Sequence, residues 1–253
     1  MLEITSLNNP NIKHIRALDS KKEREKYGEY TVEGKKSVNE AISSNKEIVC
    51  LVFAESFDSD SILECDTQKF KVSDFILEKI SDTKTPPGVL AVIKQEKEEL
   101  SELKDNGLYL YCDNVSDPGN MGTLIRTADA AGFDGVMMSK GCVELHNPKT
   151  VRASMGSFFR MRIYPEVTSE KLIEFKNQGA LLYGGALRDD TVDYRKADYK
   201  KTSIIVVGNE ANGICDEILK ICTPVKIPIY GGAESLNVGV AAGILMYEAA
   251  NSR

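Results

Sequence analysis

The sequence contains no Cys-x-x-Cys pair and only two histidines, so four zinc ligands at a usual spacing cannot be found. Residues 1–6 lack the basic-then-apolar pattern of a secretory signal, so the six cysteines are interpreted as small core residues rather than disulfide partners. No apolar run approaches the roughly 20 residues of a membrane helix. These absences predict a protein without a metal site, outside the membrane, with the cytoplasm as its expected location.

An excess of positive charge is also missing. The formal net charge is −6, which argues against a nonspecific nucleic-acid binder, because counterion release favours basic surfaces. Charge is nevertheless concentrated locally, since residues 13–26 contain six Lys or Arg against three acids. This stretch predicts either an RNA-binding surface or an ordinary solvated helix face, and the charge pattern alone leaves both open.

A domain boundary is predicted where apolar periodicity stops and Glu and Lys dominate, at residues 95–106. The 253 residues are enough for two modest domains. We therefore predict a small α/β domain over residues 1–95, a linker over 96–106 and a second domain over 107–253. In the first, residues 37–43 and 73–80 are typical of helices, and residues 47–53 and 89–93 of strands.

The second domain alternates strands with helices. Strands are predicted at residues 108–112, 135–138, 181–184, 204–207 and 225–228, and helices at 121–131 and 238–250. Such alternation predicts a parallel α/β sheet that binds ligands at the carboxyl ends of its strands.

Polar residues near the first of these helices are candidates for chemistry. Met121, Leu124 and Ile125 belong to one buried stripe, and Asn120 stands where a helix N-cap is expected. Arg126 lies about 140° around the helix from Met121, which leaves its guanidinium free to face a ligand. An exposed helix arginine beside an ordinary capping asparagine explains the same pattern.

Two later segments combine strands with glycine-bearing loops. A run of β-formers at residues 204–207 leads into Gly208-Asn209-Glu210, where glycine lets a ligand approach the backbone. Residues 227–244 contain Ile-Pro, two glycines and Ser-Leu-Asn before a helix rich in small residues. Neither segment has the Gly-x-Gly-x-x-Gly fingerprint or a P-loop, and adenosine and methionine suit such a loop.

Together these segments resemble the motifs of the SpoU (TrmH-like) family of SPOUT methyltransferases. The likeness covers residues 108–250, includes a further segment at 151–156, and extends to residues 4–10 and 30–34 of the first domain. The latter resemble the substrate-binding domain attached to rRNA-modifying members. The resemblance implies a trefoil-knotted α/β catalytic domain that uses S-adenosylmethionine to methylate a ribose 2′-hydroxyl in structured RNA, with rRNA expected and no DNA.

The resemblance also implies the roles of individual residues. The expected catalytic residues are Asn120, Arg126, Glu210, Ser235 and Asn237, with Arg126 stabilising developing alkoxide charge and Asn120 and Glu210 positioning it. The expected cofactor contacts are Ala186, Gly208, Ile227 and Leu236. The local basic stretch, rather than the resemblance, predicts RNA contacts at Lys13, Arg16, Lys21, Lys22 and Arg24, and Arg152 is a further expected RNA contact.

Relatives pair through their knotted domains, which implies a homodimer with Arg126 supplied across the interface. The apolar helix containing Val240, Ile244 and Tyr247 suits close packing between subunits, although packing within one subunit explains it equally well. A tRNA ribose methyltransferase on the same fold and a noncatalytic RNA-binding protein are the alternative functions.

Overall fold

The computed structural model describes residues 1–188 and 190–253. Its strands are β1 (Leu2–Ile4), β2 (Glu29–Glu33), β3 (Ile48–Ala54), β4 (Gln68–Val72), β5 (Val89–Lys94), β6 (Leu108–Cys112), β7 (Gly135–Met138), β8 (Ile163–Tyr164), β9 (Leu181–Gly185), β10 (Val192–Asp193), β11 (Ser203–Val207) and β12 (Thr223–Lys226). Its α-helices are α1 (Pro10–Ala17), α2 (Lys21–Tyr27), α3 (Lys35–Ser43), α4 (Asp74–Ile80), α5 (Pro118–Ala130), α6 (Pro148–Ala153), α7 (Ser169–Asn177), α8 (Asp216–Leu219) and α9 (Val238–Asn251).

The chain forms two compact units, and their membership is not collinear with the sequence. The first contains Met1–Glu96 together with His146–Phe159, and the second contains Lys97–Leu145 and Arg160–Arg253. The predicted boundary at residues 95–106 stays a prediction. What the sequence pattern did not indicate is that α6, which lies inside the predicted second domain, packs against β2 of the first unit.

The first unit is built on a mixed five-stranded sheet in the order β1-β4-β3-β5-β2. Strands β1, β4 and β3 are parallel, whereas β5 is antiparallel to both β3 and β2. Apolar residues of α1 and α4, among them Ile12, Ile15 and Leu77, cover one face of the sheet through a core that includes Val52 and Phe70. Burial of these side chains is the main source of stability of the unit.

The second unit confirms the predicted parallel α/β sheet. Its seven strands are all parallel, in the order β10-β12-β9-β11-β6-β7-β8. Strand β11 lies between β6 and β9 with Val207 opposite Cys112 and Val206 opposite Gly184. The loops that follow β6, β9 and β11 therefore leave the sheet at one carboxyl edge.

Helices cover both faces of this sheet, as expected for a parallel sheet. Because successive side chains of a strand point to opposite faces, Tyr111 and Val206 share one face, where they pack with Leu172 and Phe175 of α7. Helices α5 and α9 pack on each other, and α9 contacts β6, β9 and β11. This places the first turns of α5 and α9 beside each other.

Two details differ from the sequence-based predictions. Strand β12 spans Thr223–Lys226 rather than 225–228. Among the cysteines, only Cys50 and Cys112 are buried, Cys215 is exposed and the remaining three are half-buried, so the core interpretation is wrong for Cys215.

Candidate active site

The first turn of α5 is organised by Asp117. Its carboxylate accepts the backbone N–H of Asn120 at 2.7 Å, and Pro118 occupies the first helical position. Asp117 and not Asn120 is therefore the N-cap, which corrects the expectation from the sequence. An aspartate followed by proline is a typical helix start, so the Asp-Pro pair was a signal that sequence reasoning missed. Because Asn120 does not cap, its side chain is free to reach another loop.

Three candidate catalytic side chains form one chain of hydrogen bonds. The Asn237 amide donates to Oδ1 of Asn120 at 3.1 Å, and the Asn120 amide donates to Oε1 of Glu210 at 2.9 Å. Asn237 lies immediately before α9, Asn120 lies in the first turn of α5, and Glu210 lies in the loop after β11. Asn237 also caps α9, because its Oδ1 accepts the backbone N–H of Gly239 at 2.9 Å. The network therefore locks the orientation of both asparagine amides.

Glu210 is the acceptor on which this network ends. Its carboxylate also accepts the backbone N–H groups of Ser116 at 3.3 Å and of Asp117 at 3.2 Å. Partial burial alone would raise the pKa of Glu210, but the hydrogen bonds from Asn120, Asp117 and Ser116 outweigh it and lower that pKa. Glu210 is consequently an anion near neutral pH and holds the loop before α5 as an acceptor.

A cavity of about 660 Å³ opens beside the network at the carboxyl edge of the sheet. It is bounded by the loops after β9, β11 and β12 and by the start of α9. The cavity lining includes all four expected cofactor contacts and three of the expected catalytic residues: Ala186, Gly208, Ile227, Leu236, Glu210, Ser235 and Asn237. Residues that sequence reasoning did not single out, among them Arg188, Leu219 and Leu245, complete the wall.

Glycine is required at position 208, after β11, for a reason other than the close approach of a ligand that the sequence analysis expected. A Cβ on Gly208 would lie 2.0 Å from the backbone carbon of Gly213, because residues 209–213 fold back on themselves. This turn is closed by backbone hydrogen bonds between Asn209 and Gly213, both 2.9 Å long. Gly208 is thus required by the closure of its own loop, and close approach of a ligand is not needed to explain it.

Arg126 is not brought to the cavity within this chain. It lies on the exposed face of α5, roughly 9 Å along the helix axis from Asn120, and it does not line the cavity. Its guanidinium forms no hydrogen bond or ion pair with residues 1–188 or 190–253. Its guanidinium is therefore available to a group outside this chain.

The expected RNA contacts separate into three groups: exposed residues without an ion pair in the described ranges, residues in an ion pair, and one buried residue. Lys13, Arg16 and Lys22 are exposed and make no ion pair within the described ranges, whereas Lys21 pairs with Glu25 at 3.6 Å. Arg152 pairs with Asp82 at 2.8 Å.

Arg24 corrects the prediction. It is only 3% exposed, and its guanidinium donates to the backbone carbonyls of Leu18 and Asp19 at 2.7 Å each. Buried carbonyls after a helix need donors, and the guanidinium supplies them. Arg24 is therefore a structural residue that cannot reach RNA without breaking these bonds.

Neither a metal cluster nor a membrane span is found in the described ranges. No three His, Cys, Asp or Glu side chains there are grouped as metal ligands, and no helix there is long and apolar enough to cross a membrane.

The second unit is thus a parallel α/β domain with a cavity and an Asn–Asn–Glu network at the carboxyl edge of its sheet. Comparison with known proteins identifies its family. Residues 107–247 match the SpoU rRNA Methylase family, and residues 9–91 match the MRM3-like substrate binding domain. The chain belongs to the SpoU rRNA methylase family, which confirms the resemblance inferred from its motifs.

The relatives extend the likeness to nearly the whole chain. The chain is 35% identical over 248 residues to the 23S rRNA (guanosine(2553)-2'-O)-methyltransferase RlmP of Bacillus subtilis, which covers 98% of each chain. Its fold matches the crystal structure of an AdoMet-bound rRNA methyltransferase from Sinorhizobium meliloti with a TM-score of 0.88 and 33% identity, over 98% of this chain and 96% of that one. A tRNA (guanosine(18)-2'-O)-methyltransferase of Aquifex aeolicus is 35% identical, but over only 61% of this chain and 74% of its own.

Proposed function

We propose that this protein transfers a methyl group from S-adenosylmethionine to a ribose 2′-hydroxyl in ribosomal RNA. The observation that carries the proposal is the cavity beside the hydrogen-bonded Asn120, Glu210 and Asn237, in a chain that aligns over 98% of its length with a 23S rRNA 2′-O-methyltransferase. The same proposal locates the enzyme in the cytoplasm, with its rRNA substrate.

Ribosomal RNA is favoured over tRNA by the first unit. The match to a substrate-binding domain at residues 9–91 belongs to rRNA-modifying relatives, whereas the tRNA-modifying relative aligns with only 61% of the chain. A noncatalytic RNA-binding role is disfavoured because the two amides and the carboxylate are held together beside a cavity of cofactor size, as preorganised catalytic groups are.

The cavity fits the proposed cofactor. A volume of about 660 Å³ lies within the roughly 300–1,000 Å³ range of small-molecule sites. Leu219, Leu236 and Leu245 supply apolar walls, and the loops that begin at Ala186 and Gly208 offer backbone polar groups. When bound, S-adenosylmethionine supplies a methyl group activated by its sulfonium charge.

The residues of the chain must then prepare the ribose hydroxyl, which is a poor nucleophile. A guanidinium remains charged at neutral pH and can grip an RNA phosphate while stabilising developing alkoxide charge, so we assign this role to Arg126. The amides of Asn120 and Asn237, fixed by Glu210, hold the reacting groups in line.

We further propose a homodimer in which Arg126 of one subunit completes the site of the other. The support is that Arg126 is exposed, without a partner among the described residues, and away from the cavity of its own chain. Helix α9 also presents apolar surface to solvent, since Val240 is 53% and Tyr247 48% exposed. These two residues are seven apart and so lie on one face of the helix.

The proposed function predicts labelled methyl transfer to rRNA. Purified protein with radiolabelled S-adenosylmethionine should label rRNA from cells that lack the gene, and mapping of 2′-O-methyl groups should find one site that depends on the gene. Matched tRNA from the same cells serves as the control. Label that enters only tRNA would select the alternative substrate, and no label in any RNA would contradict the enzyme.

Basic residues of α1 are expected to contact RNA phosphates. Replacing both Lys13 and Arg16 by alanine should weaken rRNA binding and reduce the slope of log affinity against log salt by about 1.5, because each lost phosphate contact removes roughly 0.7–0.9. Filter binding at several salt concentrations measures the slope. The control replaces the exposed Lys71 and Lys79 of the same unit, which changes net charge equally. Equal slopes in both double variants would show that α1 is an ordinary solvated face.

A further inference from the structure

Tyr230 is an almost fully exposed aromatic side chain in the loop between β12 and α9. Its exposed fraction is 88%, the highest of the large hydrophobic side chains in the described ranges. A phenol ring buries apolar area when it packs, so a ring left in water gains nothing for the fold. Neither the network nor the cofactor cavity uses it.

The loop places this ring at the mouth of the cavity. Ile229, immediately before Tyr230, lines the cavity, and so does Ser235 a few residues later. Between them, Gly231 and Gly232 have nothing within 4 Å of where a Cβ would stand. Tyr230 therefore lies next to the cavity rim, in a loop segment with open space after it.

A second aromatic group stands at the same edge of the sheet. Strand β10 pairs with β12 in parallel, so Tyr194 and Arg195, which follow β10, leave the sheet at the edge that Tyr230 also occupies. The guanidinium of Arg195 lies over the Tyr194 ring, 5.6 Å from its centroid. Hydrogen bonding to Asp193 raises the pKa of Arg195, and the charge of Tyr230 adds to that rise.

Flat aromatic and guanidinium faces are the groups that hold unpaired bases in RNA complexes. Sequence-specific RNA recognition targets bases splayed out of a helix, which stack on aromatic rings or on arginine planes. Arg195 is already paired with Asp193 at 2.7 Å, so stacking, rather than charge, is what this edge offers. A ribose that enters the cavity mouth brings its own base, or the adjacent one, against the rim.

We propose that Tyr230 is a stacking platform for an unpaired base of the RNA substrate beside the target ribose, with Tyr194 and Arg195 extending the platform. The proposal rests on the proposed function for the identity of the ligand. It adds a substrate-recognition surface in the second unit, separate from the basic residues of α1.

Replacing Tyr230 by alanine or by leucine should raise the KM for rRNA about tenfold, because loss of one base–aromatic stack weakens binding by that order. Replacement by phenylalanine, which keeps the ring, should leave KM near the wild-type value. At saturating rRNA kcat should change little, and calorimetry should give an unchanged Kd for S-adenosylmethionine. The control is Ile173→Ala, which removes an exposed apolar side chain from α7 of the second unit, outside the cavity lining, and should leave KM unchanged.

Filter binding of labelled rRNA to the same variants measures the stacking without turnover. It therefore decides the proposal even if the wild-type protein transfers no methyl group, a result that would count against the proposed function alone. Wild-type rRNA affinity in Tyr230→Ala would overturn the platform. A weakened cofactor Kd would also overturn it, by making Tyr230 part of the cofactor cavity, and so would a leucine variant that binds rRNA as well as phenylalanine does.

Discussion

Arg126→Ala is expected to lower kcat for rRNA methylation by about 10²- to 10³-fold or more, with the Kd for S-adenosylmethionine unchanged within about twofold. Removal of one donor to developing oxyanion charge typically has an effect of this size. Cofactor affinity should survive because Arg126 does not line the cavity. The measurements are single-turnover methyl transfer at saturating rRNA and calorimetric titration with the cofactor.

The fold should survive the same substitution, because the Arg126 side chain is exposed and makes no hydrogen bond or ion pair with the described residues. Arg162→Ala is the matched control, since Arg162 is another exposed arginine of the second unit and lies outside the cavity lining. It should retain near wild-type kcat. If both arginine variants turned over equally well, Arg126 would be an ordinary surface arginine.

Coexpression of two inactive variants is expected to restore roughly a quarter of wild-type activity if the site is shared between subunits. One variant is Arg126→Ala and the other Asn237→Asp. The aspartate keeps an oxygen to cap α9 but replaces the amide that donates to Asn120 at 3.1 Å, so the network breaks while the helix start is preserved. Each variant alone should be inactive.

The quarter follows from counting sites. Random association makes about half of the dimers mixed, and in a mixed dimer one site receives both substitutions while the other receives neither. Different affinity tags on the two variants allow the mixed dimer to be purified, and its activity should approach half that of wild type. The control is a dimer of two differently tagged copies of Arg126→Ala, which should show no recovery of methyl-transfer activity. An inactive mixed dimer would rule out the shared site, and a monomeric mass in light scattering would rule out the dimer.

Much of the second unit could be predicted because its signals are local. Strands such as β6 and β11 are short apolar runs, as strands buried on both faces of a parallel sheet must be, and α5 carries a stripe with helical spacing. Glycine and polar residues after the strands marked the carboxyl edge. Short edge strands such as β8 and β10, two residues each, have too few residues to show a period, and they were missed.

The sequence by itself determined the class of fold, the family and the set of polar residues at the edge of the sheet, because hydrophobic periodicity and motif spacing are properties of neighbouring residues. Tertiary structure decided which of those residues meet. Asn237 and Asn120 are hydrogen-bonded although 117 positions separate them in the sequence. Arg24 is buried and donates to a backbone carbonyl, which the count of charges in its segment did not predict. The segment His146–Phe159 packs with Met1–Glu96. Each of these contacts depends on packing between parts of the chain that are distant in sequence. The geometry of close packing determines which residues meet, and the local sequence pattern does not contain that information.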